Sequence, residues 1–119
     1  MKLEVIGNLG NDAELRYTQS GTGMTKFSLA DTRKFSRGGE EVKETCWFRV
    51  TCFGELAEKC AHLNKGKRVK VEGRLSPDPD TGGPKIWKRN DGTPGASYEV
   101  IAFSVEEMVK DEPETEISF

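Results

Sequence analysis

Histidine is nearly missing from this chain: His62 is the only one in 119 residues. A histidine-based triad would have to run through His62, which sits beside Leu63 in a stretch of helical period. No glycine-rich loop of the P-loop type is present either. These absences argue against an enzyme. Cysteine is also scarce, and its number is odd: Cys46, Cys52 and Cys60. Without a secretory start, that count argues against a disulfide framework. No C-x-x-C pair exists, and the spacing of the three thiols and His62 matches no zinc module. Buried free thiols are expected. No apolar run approaches the ~20 residues that span a bilayer. The opening Met1-Lys2-Leu3-Glu4-Val5 lacks the apolar stretch and cleavage site of a signal peptide, so a cytoplasmic chain is expected.

What is present fits one domain. Hydrophobic residues make up 34% and charged residues 32%, a globular balance for a length that suits a single core. The net charge of −2 is unevenly spread. Residues 106–119 hold six carboxylates against Lys110, a side-chain balance of −5 that leaves +3 on the other 105 residues. A mildly basic body suits contact with phosphates, and an acidic tail does not.

The apolar period changes along the chain. Residues 2–8 read as a short strand around Val5 and Ile6. Gly7, Gly10 and Asn11-Asp12 then break it, and residues 13–17 resume it. Residues 24–31 alternate, with Thr25, Phe27 and Leu29 on one face. Residues 33–45 are polar and contain Gly38-Gly39, which predicts a loop or hairpin end. Residues 46–53 form a strand with Cys46, Phe48, Val50 and Cys52 facing the core. Its other face carries Trp47, Arg49, Thr51 and Phe53. Residues 54–63 turn helical, with Leu56, Cys60 and Leu63 on a stripe that Ala57 and Ala61 widen. Residues 68–75 return to period two, with Val69, Val71 and Leu75 inward. Four of the five prolines fall in residues 76–95, predicting a long loop or the tip of a long hairpin. Residues 97–105 are a last strand. Three strands, one short helix and two strands describe an all-β, five-stranded Greek-key barrel, the OB-fold.

Two aromatics around Arg49 are awkward in a core but suit a surface that stacks on unpaired bases. Trp87 lies among Lys85, Lys88 and Arg89, and Phe35 among Arg33, Lys34 and Arg37, which suits stacking with phosphate contact. Lys70 and Arg74, on a strand with Arg68, are further candidates for the phosphate path. Tyr17 and Tyr98 read as structural.

Three collinear motifs carry a family resemblance. Val5-Ile6-Gly7-Asn8-Leu9-Gly10-Asn11-Asp12-Ala13-Glu14-Leu15-Arg16-Tyr17 resembles the opening of bacterial single-stranded DNA-binding proteins. Trp47-Phe48-Arg49-Val50-Thr51-Cys52-Phe53-Gly54-Glu55-Leu56-Ala57-Glu58 resembles their third strand and helix start. Lys65-Gly66-Lys67-Arg68-Val69-Lys70-Val71-Glu72-Gly73-Arg74-Leu75 resembles their fourth strand. The resemblance covers residues 1–108 and implies an OB-fold homotetramer with no catalysis, no cofactor and no metal. It implies base contacts at Phe35, Trp47, Phe53 and Trp87. Phe35 stands where the family usually has tryptophan, and Phe48 where it often has a histidine at a subunit contact. Residues 109–119 resemble a shortened form of the family's acidic tail. Its tip, Glu114, Glu116, Ile117, Ser118 and Phe119, would recruit replication and repair proteins, with serine where the family has proline. The implied function is protection of single-stranded DNA in replication, recombination and repair, in the cytoplasm at the nucleoid. The alternative is a related OB module for replication restart or RNA binding.

Overall fold

The computed structural model describes residues 1–108. Residues 109–119, with the tip at 114–119, lie outside the described residues, while Glu106 and Glu107 of the acidic segment end the last strand. Seven strands and one helix follow in order: β1 (Leu3–Leu9), β2 (Glu14–Tyr17), β3 (Gly23–Arg37), β4 (Glu40–Phe53), α1 (Glu55–Cys60), β5 (Arg68–Ser76), β6 (Lys85–Lys88) and β7 (Pro94–Glu107). Five of them close a barrel in the order β1-β5-β7-β4-β3, and β3 returns to β1 at Asn8 and Leu9. All neighbours are antiparallel except β4 and β7, which run parallel. This is the expected OB-fold, with β2 and β6 added at its margins.

The inner face is filled by the alternation that the sequence displays. Val5, Leu9, Phe27, Leu29, Val50, Cys52, Val69, Val71, Val100 and Ala102 are buried together. Each large aliphatic side chain so buried contributes about 1.5–3 kcal/mol. Helix α1 starts at Gly54, whose φ of 66° suits only glycine. It caps the end of the barrel with Ala57, Cys60 and the following Leu63. The helix stops at Cys60 rather than reaching residue 63, and Leu56 and Ala61 are only half-buried. One buried polar bond ties helix to barrel: the Thr25 hydroxyl, fully buried, donates to the Ala57 carbonyl at 2.6 Å.

The break between β1 and β2 is latched by side chains. Asn11 Oδ1 accepts from the Ser28 amide at 2.8 Å and the Ser28 hydroxyl at 2.6 Å. Asp12 Oδ1 accepts from the Lys65 amide at 2.8 Å. On the far side, a bulge between Glu72 and Gly73 shifts the β5–β7 register: Gly73 faces Ala102, but Glu72 faces Ser104. Phe103 is the extra residue and is pushed outward.

Two open readings of the sequence are resolved and one is corrected. Residues 33–45 are the hairpin end and not a loop: β3 and β4 pair without interruption from Met24↔Phe53 to Arg37↔Glu40. Gly38 and Gly39, with φ of 60° and 83°, make the tight turn between them. Residues 76–95 are the far end of the antiparallel β5–β7 pair rather than one long loop, and within them β6 pairs with the start of β7 from Lys85↔Ser97 to Lys88↔Pro94. Cys46 is not buried; it is exposed on the ribbon, while Cys52 and Cys60 are buried with their sulfurs 4.0 Å apart.

Replacing Thr25 with Val keeps the volume but leaves the Ala57 carbonyl without its buried donor. The expected loss is about 1–3 kcal/mol. Urea unfolding of Thr25→Val beside Thr25→Ser measures it: the serine variant keeps the donor and loses less.

Candidate nucleic-acid interface

Strand pairing sets out the outer face in rows. On β4 the outward residues are Trp47, Arg49, Thr51 and Phe53, because Val50 and Cys52 point inward. Beside them on β3 lie Ala30, Ser28, Lys26 and Met24. Beside them on β7 lie Glu99, opposite Arg49, and Ile101, opposite Thr51. Arg74 on β5 follows Ile101. Trp47 is 53% exposed and Phe53 45%, a high value for side chains with so much apolar surface. Six residues of extended strand separate them, about 20 Å.

Each tryptophan rests on a glycine. A Cβ at Gly10 would meet the Trp47 ring at 2.5 Å and the Ser28 hydroxyl at 2.7 Å. The Asn11 latch on Ser28 therefore also fixes the floor under Trp47. A Cβ at Gly95 would meet the Trp87 ring at 2.5 Å, so that indole lies down on the β6–β7 hairpin and is half-buried. Its Nε1–H donates to Ser97 Oγ at 3.4 Å, and the Ser97 hydroxyl donates to Glu99 Oε2 at 2.8 Å. The guanidinium carbons of Arg49 and Arg89 each lie 5.3 Å from the Trp87 ring centre, within cation–π range. Arg49 thus links the β4 face to the hairpin.

The expected site residues divide by place. Trp47, Arg49, Phe53, Arg74, Lys85, Trp87 and Arg89 converge on this face or its hairpin. Lys88 lies on the opposite side of the hairpin from Trp87, sharing its face with Ile86. Phe35 pairs with Val42 on the inward-facing side of the β3–β4 ribbon, opposite to the side that carries Trp47. Arg33 and Arg37 lie over its ring at 4.7 and 5.5 Å. Arg33 also pairs with Glu44 at 3.1 Å, and Lys34 with Glu41 at 4.0 Å. Lys70 lies elsewhere on the barrel, between Glu106 at 3.5 Å and Glu72 at 3.9 Å. Lys26 was missed by the sequence reading; only the β3–β4 register shows that it adjoins Thr51. Tyr17 and Tyr98 are both exposed, and Tyr98 packs on Phe48 with ring centres 6.0 Å apart.

Near this face two groups are shifted: in the β6–β7 turn the hydroxyl and amide of Thr93 hold Asp91 below the usual carboxylate range, and Cys46 adjoins Trp47 in the chain. Partial desolvation, and then the Asp31 carboxylate, push the Cys46 thiol up. Cys52 keeps its proton by donating to the Cys60 sulfur and through burial. At the far end of the barrel, the hydrogen bond from His62 holds Glu107 below the usual carboxylate range. The face itself offers flat apolar rings and fixed positive charges, an arrangement for binding planar anionic polymers.

The Single-strand binding protein family model matches residues 1–108. A single-stranded DNA-binding protein of Xanthomonas axonopodis pv. citri is 40% identical over 103 residues, 85% of this chain and 53% of that protein. One from Helicobacter hepaticus is 34% identical over 107 residues, 88% of this chain and 59% of that protein. The chain spans about half the length of these relatives. Among solved structures, the small single-stranded DNA-binding protein of Streptomyces coelicolor superposes with a TM-score of 0.75 at 22% identity, covering 92% of this chain and 94% of that one. A deletion mutant of the Thermus aquaticus single-stranded DNA binding protein superposes with a TM-score of 0.70 at 25% identity, covering 92% and 51%. The chain is an OB-fold protein. It belongs to the single-strand binding protein family.

The glycine under Trp87 gives a direct test of the geometry. In a Trp47→Phe background, Trp87 is the only fluorophore of its kind. Adding Gly95→Ala should lift the indole off the hairpin, red-shift its emission and raise quenching by iodide, with the far-UV circular dichroism unchanged. Unchanged emission would mean that the ring does not rest there.

Proposed function

We propose that this chain binds single-stranded DNA with little sequence preference and protects it during replication, recombination and repair. The observation that carries the reading is the outer face of β4: two exposed aromatics with Arg49 between them. Unpaired bases stack on such rings whatever their sequence, and duplex DNA hides the same faces. Arg49, Arg74, Lys85 and Arg89 meet the phosphates. The domain at residues 1–108 assembles as a homotetramer, with the outer edge of β1 as the contact, and functions in the cytoplasm at the nucleoid.

Titration of tryptophan emission with poly(dT), poly(rU) and a duplex, at two salt concentrations and with the mass measured in solution, tests this. Quenching by poly(dT), weaker binding to duplex and loss of affinity with salt are expected. In OB-fold single-strand binders a stacked base is worth about 1–3 kcal/mol. Trp47→Ala with Trp87→Ala should therefore weaken binding by at least about tenfold while the fold persists. Equal affinity for duplex would refute the reading, and a preference for poly(rU) would favour an RNA module.

The acidic tail at 109–119 is the proposed recruiting element. Ile117 and Phe119 are apolar side chains among Glu114 and Glu116, and such a tip fits an apolar pocket with a basic rim. Ser118 lies between the two. Deleting residues 112–119 should keep or slightly tighten DNA binding while abolishing capture of replication and repair proteins. An unchanged set of captured proteins would make the tail a solubilising segment.

A further inference from the structure

Phe103 is 59% exposed, and nothing in the interface so far uses it. The bulge explains its orientation. Ala102 is buried and Val105 turns inward opposite the buried Val71, so the extra residue leaves Phe103 and Ser104 both outward. The parallel register pairs Arg49 with Glu99 and Thr51 with Ile101. The β4–β7 pairing ends there, and two residues beyond it along each strand lie Phe53, the last residue of β4, and Phe103. Phe53 is in turn paired with Met24, and Met24 with Arg16. Phe53 and Met24 are therefore apolar neighbours across the sheet, with Phe103 on the β7 side and Arg16 at the other end. The next row carries Lys26, Thr51, Ile101 and Arg74. Among the described residues, no ion pair engages Lys26 or Arg74. Two acids face these rows by register: Glu14, opposite Lys26, lies 3.5 Å from Arg16, and Glu72 lies 3.4 Å from Lys2 and 3.9 Å from Lys70.

We propose that Phe103 is a further base-stacking position, at which a single strand leaving Phe53 turns across the sheet with Arg74 against its phosphate. This rests on the reading of the chain as a single-strand binder. Continuity with Phe53 and the flanking cations favour a nucleic acid here over a second copy of the chain.

Oligo(dT) of increasing length, bound to the full chain, tests the proposal. Trp47→Ala should weaken binding at every length. Phe103→Ala and Phe103→Leu should leave the shortest oligonucleotides unaffected and weaken longer ones by about 5- to 100-fold, with Phe103→Tyr restoring affinity. A 5-iododeoxyuridine oligonucleotide should photocrosslink at Phe103. Wild-type affinity of Phe103→Leu at all lengths overturns the proposal while the single-strand reading stands. A smaller solution mass for Phe103→Ala overturns it in favour of a subunit contact. Absence of wild-type binding at every length overturns the functional reading and this one with it.

Discussion

Where β1 passes from β5 to β3, its backbone runs against the carbonyl of Ala30. A Cβ at Gly7 would fall on that oxygen, so only glycine closes the barrel there. Closure makes the strands divide their side chains between inside and outside, except where the β7 bulge turns two successive residues outward. The inside is already filled by aliphatic groups from all five strands, by Phe27 and by α1. Large rings on the alternate positions of β4 have no place in that space, and they stand on the outer surface at Trp47 and Phe53.

The outer rings are supported rather than loose. Gly10 and Gly95 provide flat seats, Ser28 and Asn11 hold one of them in place, and Arg49 reaches from the barrel to the Trp87 hairpin. A ring already held in position loses less freedom when something stacks on it. The same residues that break strand β1 therefore serve the surface above them.

The face of β4 was legible in the sequence because alternation has a clear meaning when one side is core. Cys46, Phe48, Val50 and Cys52 identified the inside, and the rest followed. Residues 33–45 leave loop and hairpin end both open in the sequence because the β3–β4 ribbon runs out past the core, where neither side is buried and hydrophobicity no longer alternates. The Gly38-Gly39 pair was the remaining signal, and it marks a tight turn as readily as a loop. Residues 85–88 are too short, and too close to Pro84, to read as a strand without their partner. Cys46 was expected inside because its parity matches Val50, but that parity carries it along the ribbon beyond the barrel's end. Phe103 owes its outward position to a bulge between Glu72 and Gly73 that no periodicity displays. The convergence of Arg74 with Thr51 needs the parallel β4–β7 pairing, which is a property of topology rather than of local pattern.

That parallel pairing also bears on how the chain reaches this structure. Phe48 finds Tyr98 fifty positions away, and β1 finds β5 with Leu3 against Gly73, seventy positions away. Only β2–β3, β3–β4 and β6–β7 join neighbours through short turns among the described residues. Contacts of such separation demand the closure of long loops before they return any stabilisation, which slows folding. By that measure the β3–β4 hairpin is the least costly pairing to close and β1–β5 the most costly. While β1 and β5 are apart, their facing edges are open to pairing with other chains, so the period before they meet is when this protein is most exposed to aggregation.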